Sequence, residues 1–317
     1  MRKKQKKIIF YGTPDFARDC LEYLINEDVE ISAVVTAPDK SSGRGRRISF
    51  SSVKEFCLNK NINIFQPNNL KDSLFLSKIK DIAPDFQIVV AFRMLPKEVW
   101  SISKVFTFNL HASLLPNYRG AAPINWAIIN GEKKTGLTTF IIDDKIDTGV
   151  VLLKEEVKIA PLDTFLSLSN KLLNKAGPLI KKTIEFYFSE KLNPKKQFLN
   201  GNEKFAPKLT SKNIKIDWNE SIDLIEKKIR GLSPFPGAWT FFNNYNNKSR
   251  MKIIQSSIIY INHKNKLNKI LVKDGDLFIS LKEGYLKCDE IQLENKRKMS
   301  VKSLLNGYKF SENSFVL

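Results

Sequence analysis

The 317-residue chain is poor in the residues that build metal centres and covalent cross-links. Its three cysteines, Cys20, Cys57 and Cys288, lie far apart, with no close cysteine or histidine partner. That spacing excludes a disulfide framework and gives no support to a zinc site, so no metal is expected. Histidine occurs only twice, at His111 and His263. No stretch approaches the roughly 18 apolar residues that a membrane-spanning helix requires. The basic start, MRKKQKK, leads into an apolar run too short for a signal peptide, so a cytoplasmic address without membrane association is expected. Acidic residues are scarce, 33 Asp and Glu against 52 Lys and Arg, and the net charge is +19. An excess of that size favours a polyanionic partner such as nucleic acid. Heavy use of Lys, Asn and Ile at ordinary surface positions is the alternative source of the charge.

What is present is a globular composition, 42% hydrophobic and 27% charged, long enough for two domains. The first half alternates strand and helix signals. Ile8 to Tyr11 reads as a buried strand, followed by a turn at Gly12-Thr13-Pro14 and an amphipathic helix from Asp15 to Ile25. A second strand spans Glu30 to Thr36. Helices are expected at Ser52 to Asn59 and Leu70 to Ile82, and the continuous apolar run Phe86 to Ala91 suits a central parallel strand. This alternation predicts an open parallel α/β sheet of Rossmann-like type, with the site at the carboxyl ends of its strands. The first β-turn-helix does not follow G-x-G-x-x-G, so a dinucleotide is not indicated. Between strand and helix lies Ala37 to Arg47, APDKSSGRGRR. Its Lys40, Arg44, Arg46 and Arg47, spaced by Gly and Ser, suit a loop that closes on a phosphate backbone; a solvated charge run is the plain alternative.

The stretch Phe106 to Pro123, FTFNLHASLLPNYRGAAP, organises the rest. Asn109 and His111 stand two apart on β-forming sequence, so both side chains project from one face of a strand end. Pro123 is well placed as the first residue of a helix to about Asn130. After a further apolar run, Leu137 to Ile142, Asp147 in Asp-Thr-Gly is able to bring a carboxylate to the same strand ends. A lone histidine at a strand end is commonly structural, but His111 is flanked by Asn109, Pro116 and Arg119, whereas His263 lies in an Asn- and Lys-rich surface loop. A single Asp-Thr-Gly does not make an aspartic protease, which needs two carboxylates sharing a proton.

A further extended run spans Val150 to Ile159, and a helix over Thr164 to Phe188 closes the first domain, assigned to residues 1–190. Residues 191–208 are polar, carry Pro194 and Pro207, and read as a linker. A helix over Ser221 to Arg230 then precedes short β-prone runs: Trp239 to Phe242, Met251 to Ile261, Lys269 to Val272, Leu277 to Leu281 and Leu286 to Gln292. These predict a small OB-like β-barrel over residues 209–317. That region carries 19 Lys and Arg against 11 Asp and Glu, compatible with nucleic-acid binding. The run Lys296-Arg297-Lys298 suits either a nucleic-acid contact or a solvated face, the second being the simpler reading.

With these motifs in order, GTPDFA (Gly12 to Ala17), APDKSSGRGRR, VVAFRMLP (Val89 to Pro96), FNLHASLLPNYRGAAPINWA (Phe108 to Ala127), DKIDTG (Asp144 to Gly149) and RGLSPFPGAW (Arg230 to Trp239), the chain resembles the methionyl-tRNA formyltransferases of the 10-formyltetrahydrofolate-dependent family. The resemblance spans both domains. It implies a formyltransferase fold and formyl transfer from 10-formyltetrahydrofolate to the methionine of initiator methionyl-tRNA, by a monomer and without a metal. It places the family's catalytic residues on Asn109, His111 and Asp147. Folate-binding positions fall on Ser113, Leu114, Leu115 and Pro116, with Met94 and Leu95 from the preceding motif. The tRNA-binding insertion falls on Lys40, Arg44, Arg46 and Arg47. Phe92-Arg93-Met94 departs from the usual Tyr-Gly-apolar pattern, which argues against a folate role for the Arg93 side chain. Whether Asp147 takes a proton or orients His111 is left open. The rivals are a formyltransferase acting on glycinamide ribonucleotide or an amino-sugar nucleotide, which has no need of the arginine loop, and a non-catalytic RNA-binding protein.

Overall fold

The computed structural model describes residues 6–42 and 47–317. The chain begins with β1 (Ile8–Gly12), α1 (Asp15–Asn26), β2 (Ala33–Val35), the paired strands β3 (Lys40–Ser42) and β4 (Arg47–Ser49), and α2 (Ser52–Asn59). There follow β5 (Ile64–Phe65), α3 (Ser73–Ile82), β6 (Phe86–Val90), α4 (Lys97–Trp100), β7 (Phe106–His111), β8 (Arg119–Gly120), α5 (Pro123–Ile129), β9 (Lys134–Ile141), β10 (Val151–Lys158), α6 (Phe165–Phe188) and β11 (Phe205–Ala206). The chain forms two compact units, the first from Met1–Gly120, Gly136–Val157 and Asn170–Phe205.

In the first unit a seven-stranded sheet runs in the order β10-β9-β7-β6-β1-β2-β5. β1 and β6 are buried along their whole length, as largely apolar strands covered on both faces must be. α1 buries Ala17, Cys20, Leu21 and Leu24, a helical i, i+3, i+4, i+7 stripe. α3 starts at Ser73 because Asp72 caps it, its Oδ1 accepting the Phe75 N–H at 2.9 Å. Polar side chains inside the sheet satisfy one another: the Tyr11 hydroxyl donates to Gln87 Oε1 at 2.5 Å, and Gln87 Nε2 donates to the Val99 carbonyl at 2.9 Å and to Thr107 Oγ1 at 3.0 Å.

The expected parallel arrangement holds from β5 through β2, β1 and β6 to β7, but β9 runs antiparallel to β7, with His111 opposite Thr138 and Phe108 opposite Ile141. The reason is the connection. A parallel neighbour needs a crossover that recrosses the sheet face, whereas the helix between these strands, α5, clusters with the second unit.

The second unit comprises Ala121–Thr135, Lys158–Ser169 and Ala206–Leu317. It adds α7 (Ile222–Gly231), β12 (Ala238–Asn244), β13 (Asn247–Tyr260), β14 (Ile270–Lys273), β15 (Asp276–Leu281), β16 (Gly284–Leu293), β17 (Met299–Ser300), α8 (Val301–Leu305) and β18 (Phe315–Val316). Its antiparallel sheet runs β14-β15-β16-β13-β12-β18. The 14-residue β13 changes register against β16 around Gln255, an irregularity that bends a long strand. The path closes on itself where Lys269 bridges Phe315 and the Ile270 N–H donates to the Ser314 carbonyl at 2.8 Å. A closed antiparallel ring is the barrel expected from the sequence. Its core joins Ile222, Ile225 and Ile229 of α7 to Phe242, Met251, Ile279, Leu286 and Ile291. Arg230, within the RGLSPFPGAW motif, is tied down structurally: Nε pairs with Glu226 at 2.5 Å and Nη1 donates to the Asp163 carbonyl at 2.7 Å. No helix among the described residues is long and apolar enough to cross a membrane.

Candidate active site

β7 delivers the site. Thr107, Asn109 and His111 share one face by strand alternation, and β7 ends at His111. Thr107 is spent on the sheet, its hydroxyl donating to the Trp100 carbonyl at 2.6 Å. The half-buried Asn109 carboxamide has no hydrogen bond to a described residue. His111 is buried, and its Nε2 lies 2.8 Å from the Tyr118 carbonyl oxygen. A carbonyl only accepts, so Nε2 carries the hydrogen and the neutral ring keeps its lone pair at Nδ1. Tyr118 is set for this with φ +61°.

Nδ1 faces Asp147, whose Oδ2 stands 3.7 Å away, too far for a hydrogen bond but close for an ion pair. The same Oδ2 accepts the Gly120 N–H at 2.9 Å. Asp147 is itself left-handed, φ +55°. Its loop follows β9 with Asp143 accepting from Thr148 Oγ1 at 2.7 Å and from the Lys145 N–H at 3.0 Å. Gly149 lets the loop close: a Cβ there would lie 1.7 Å from the Ile141 carbonyl oxygen. Asn109 and His111 thus come from one strand, and Asp147 from the loop that follows β9.

The segment after His111 is rigid. Ser113 Oγ donates to the Asn117 carbonyl at 2.6 Å, while Thr138 Oγ1 donates to the Ser113 carbonyl at 2.6 Å and accepts the Leu115 N–H at 3.2 Å. The Leu115 side chain is fully buried against Phe140 and Val151. Lys154 Nζ donates to the Leu115 carbonyl, and burial, with Lys195 nearby, holds that ammonium below the usual lysine range. In the Val89 to Pro96 motif Leu95 is likewise buried, packed with Tyr11, Val89 and Val99. Met94 is 62% exposed and Ile146, in the Asp147 loop, 63%. Phe92 and Ile142 pack on the same hydrophobic cluster as Leu95. Arg93 is occupied: its guanidinium donates to the carbonyls of Asn68, at 2.8 Å, and Pro67.

Of the basic loop, Lys40 is exposed in β3 and Arg47 pairs by its backbone with Ser42; Arg44 and Arg46 lie outside the described residues. The hairpin root is braced by Asp39, which accepts from Gln66 Nε2 at 2.8 Å and Lys54 Nζ at 2.5 Å, contacts that hold its carboxyl below the ordinary range. His263 serves structure, its Nε2 lying 2.8 Å from the Leu281 carbonyl oxygen and its ring stacked on Tyr285.

One residue near Asp147 was not singled out from the sequence. Gln197, in the polar segment read as a linker, donates through Nε2 to the carbonyls of Asp147 at 3.0 Å and Gly149 at 2.8 Å. Its Oε1 accepts from Arg119 Nη2 at 2.6 Å and Nε at 3.2 Å. Residues up to 205 cluster with the first unit, and Lys195 bridges Val151 in antiparallel fashion.

The chain thus joins an open α/β sheet, whose β7 ends on Asn109 and His111 with the Asp147 carboxylate beside the imidazole, to a closed antiparallel barrel, the frame of a two-domain protein with an acid–base site at a strand end. The formyl transferase family model matches residues 6–184 and the formyl transferase C-terminal domain model residues 208–309. Curated relatives named methionyl-tRNA formyltransferase include those of Flavobacterium johnsoniae, 45% identical, and Bacteroides thetaiotaomicron, 39% identical, each match covering 98% of both chains. The chain therefore belongs to the formyl transferase family. In fold it also matches HypX from Aquifex aeolicus in complex with tetrahydrofolic acid, with a TM-score of 0.66 at 15% identity over 95% of this chain and 47% of that one. An N-formyltransferase from Helicobacter canadensis, in complex with folinic acid and dTDP-3-aminofucose, matches with a TM-score of 0.64 at 22% identity, covering 91% and 100%.

Proposed function

We propose that the chain transfers the formyl group of 10-formyltetrahydrofolate to the α-amino group of methionine on initiator methionyl-tRNA, the step that prepares this tRNA for translation initiation. The observation that carries it is the His111 imidazole held between the Tyr118 carbonyl and the Asp147 carboxylate at the end of β7, in a chain that matches methionyl-tRNA formyltransferases over both domains. The residues present fit the folate donor: exposed apolar Met94 and Ile146, each a few residues from a side chain packed on the Leu95 cluster, suit a flat ring, and the braced Ser113 to Pro116 backbone gives a fixed edge. Leu95 and Leu115 support that edge from the core. When bound, 10-formyltetrahydrofolate supplies the electrophilic formyl carbon.

The protein's part follows from its donors and acceptors. An α-amino group titrates near 7.7–8.0, so a useful fraction is already neutral at cellular pH and attack needs no strong base. As it bonds to carbon, negative charge grows on the formyl oxygen, and the unspent Asn109 carboxamide is the donor for it; such a donor is worth about 2.7–4 kcal/mol of barrier. The amine must then lose a proton. Nδ1 of His111 accepts it, because Nε2 is committed to Tyr118, and the imidazolium so formed faces the Asp147 carboxylate. Nδ1 returns the proton to the departing folate nitrogen. Asp147 accordingly stabilises charge and does not itself take the proton.

The β3–β4 arm, with Lys40, Arg44, Arg46 and Arg47, binds the tRNA backbone, and the basic barrel adds a sequence-independent electrostatic hold. The protein works as a monomer in the cytoplasm. The test is formyl transfer with charged initiator tRNA, uncharged tRNA, glycinamide ribonucleotide and a dTDP-amino sugar as parallel acceptors. Transfer confined to the charged tRNA is expected; transfer only to a small acceptor overturns the assignment of substrate.

A further inference from the structure

We infer that Gln197 and Arg119 are positioning residues that hold the Asp147 carboxylate against His111. The inference rests on the formyl-transfer reading and extends it to residues outside the strand-end triad.

Asp147 needs holding. Its backbone is left-handed, φ +55°, a conformation that a non-glycine residue adopts at a cost and keeps only where its surroundings impose it. Its loop leaves β9 opposite the middle of β7, because β9 runs antiparallel, and must travel back toward His111. Only the Gly120 N–H, at 2.9 Å, fixes the carboxylate itself among the described residues. Asp143 braces the loop from within, at the Lys145 N–H and Thr148 Oγ1, and Gln197 grips its backbone from another segment of the chain, its two N–H groups reaching the carbonyls on either side of Thr148, at 3.0 and 2.8 Å. A primary amide is suited to this, since both of its hydrogens lie on one nitrogen while its oxygen stays available.

That oxygen is where Arg119 enters. Two guanidinium nitrogens, at 2.6 and 3.2 Å, converge on Gln197 Oε1. A donor-only group on the oxygen fixes which end of the amide is oxygen, and so obliges the nitrogen to face the loop. Arg119 also lies between Tyr118, whose carbonyl sets the His111 tautomer, and Gly120, whose N–H holds Asp147. One tripeptide, Tyr118-Arg119-Gly120, therefore addresses imidazole, amide and carboxylate together. Neither Arg119 nor Gln197 touches a reacting atom; both act through Asp147.

The test measures kcat and both KM values for Gln197→Leu and Gln197→Glu, alone and combined with Asp147→Asn. A misplacement near 1 Å costs about a hundredfold in rate, so kcat should fall at least tenfold, with KM for folate and tRNA within about twofold. Gln197→Glu should lose as much as Gln197→Leu although it still pairs with Arg119, because only the amide donates to the carbonyls. In the Asp147→Asn background Gln197→Leu should add no further loss, the non-additivity expected of residues acting as a unit. A kcat loss below tenfold in the single variants overturns the inference, as do losses that multiply in the double variant. Unaltered thermal midpoints separate positioning from unfolding. A wild-type protein that transfers no formyl group would instead overturn the proposed function.

Discussion

Replacing Asp147 by Asn keeps the shape of the side chain and an oxygen for the Gly120 N–H, but removes the charge opposite His111. The carboxylate oxygen lies 3.7 Å from Nδ1, with the two side chains only 12% and 7% exposed. At an effective dielectric near 20, a full charge pair at that distance is worth about 4 kcal/mol. The attraction exists only while the imidazole is protonated, so it acts on the transition state and not on the resting enzyme. At about 1.4 kcal/mol per decade this corresponds to nearly three orders of magnitude in kcat. The Asn carbonyl dipole retains a part, so the expected loss is about 10²- to 10³-fold, with KM for both substrates changed little. Steady-state formyl transfer to charged initiator tRNA, each substrate varied in turn, reads both parameters. A kcat within tenfold of wild type, or a raised KM at unchanged kcat, would refute the reasoning.

Gly149→Ala should lower kcat at least about tenfold and lower the thermal midpoint, because the new Cβ would meet the Ile141 carbonyl oxygen at 1.7 Å and the Asp147 loop must move; kinetics and calorimetry check both. Substituting Arg44, Arg46 and Arg47 together by Ala should raise KM for tRNA at unchanged KM for folate, and should flatten the salt dependence of tRNA binding by about one unit of slope per lost phosphate contact; an unchanged slope refutes the arm's role. The thiols should be inert in the native state: burial pushes Cys57 up to about 11, and Cys20 and Cys288 higher still. At pH 8 only about one Cys57 thiol in a thousand is then ionised, so a thiol reagent should find no fast-reacting group until denaturant is added, when all three should titrate.

Much of this architecture was readable because burial on both faces leaves an unmistakable mark. The runs at β1 and β6 are apolar but for Tyr11 and Gln87, which satisfy each other, and the structure places them centrally with every residue buried. Asn109 and His111 were readable as a pair because strand alternation fixes their common face. The direction of β9 was not, since an apolar run reads alike in both directions and only the placement of α5 decides it. β13 begins at Asn247, earlier than the β-prone run, because Tyr245 and Asn246 both take left-handed conformations in the turn before it; in a run this rich in asparagine many positions look equally able to turn. α3 begins three residues later than its apolar pattern suggests, at the Asp72 cap. Gln197 left no sequence signal: its role comes from pairing across about 50 residues to two backbone carbonyls, which composition and periodicity do not encode. The His111 tautomer was equally hidden, being set by a main-chain oxygen.

The central claim is that formyl transfer runs on His111 at the end of β7. Its most direct test is single-turnover transfer from 10-formyltetrahydrofolate to methionyl initiator tRNA by wild type and His111→Ala, with tRNA affinity measured on the same samples. A rate at least about a hundredfold lower at nearly unchanged affinity is predicted, the size of a lost general acid–base contribution. A variant that transfers at a comparable rate would contradict the account.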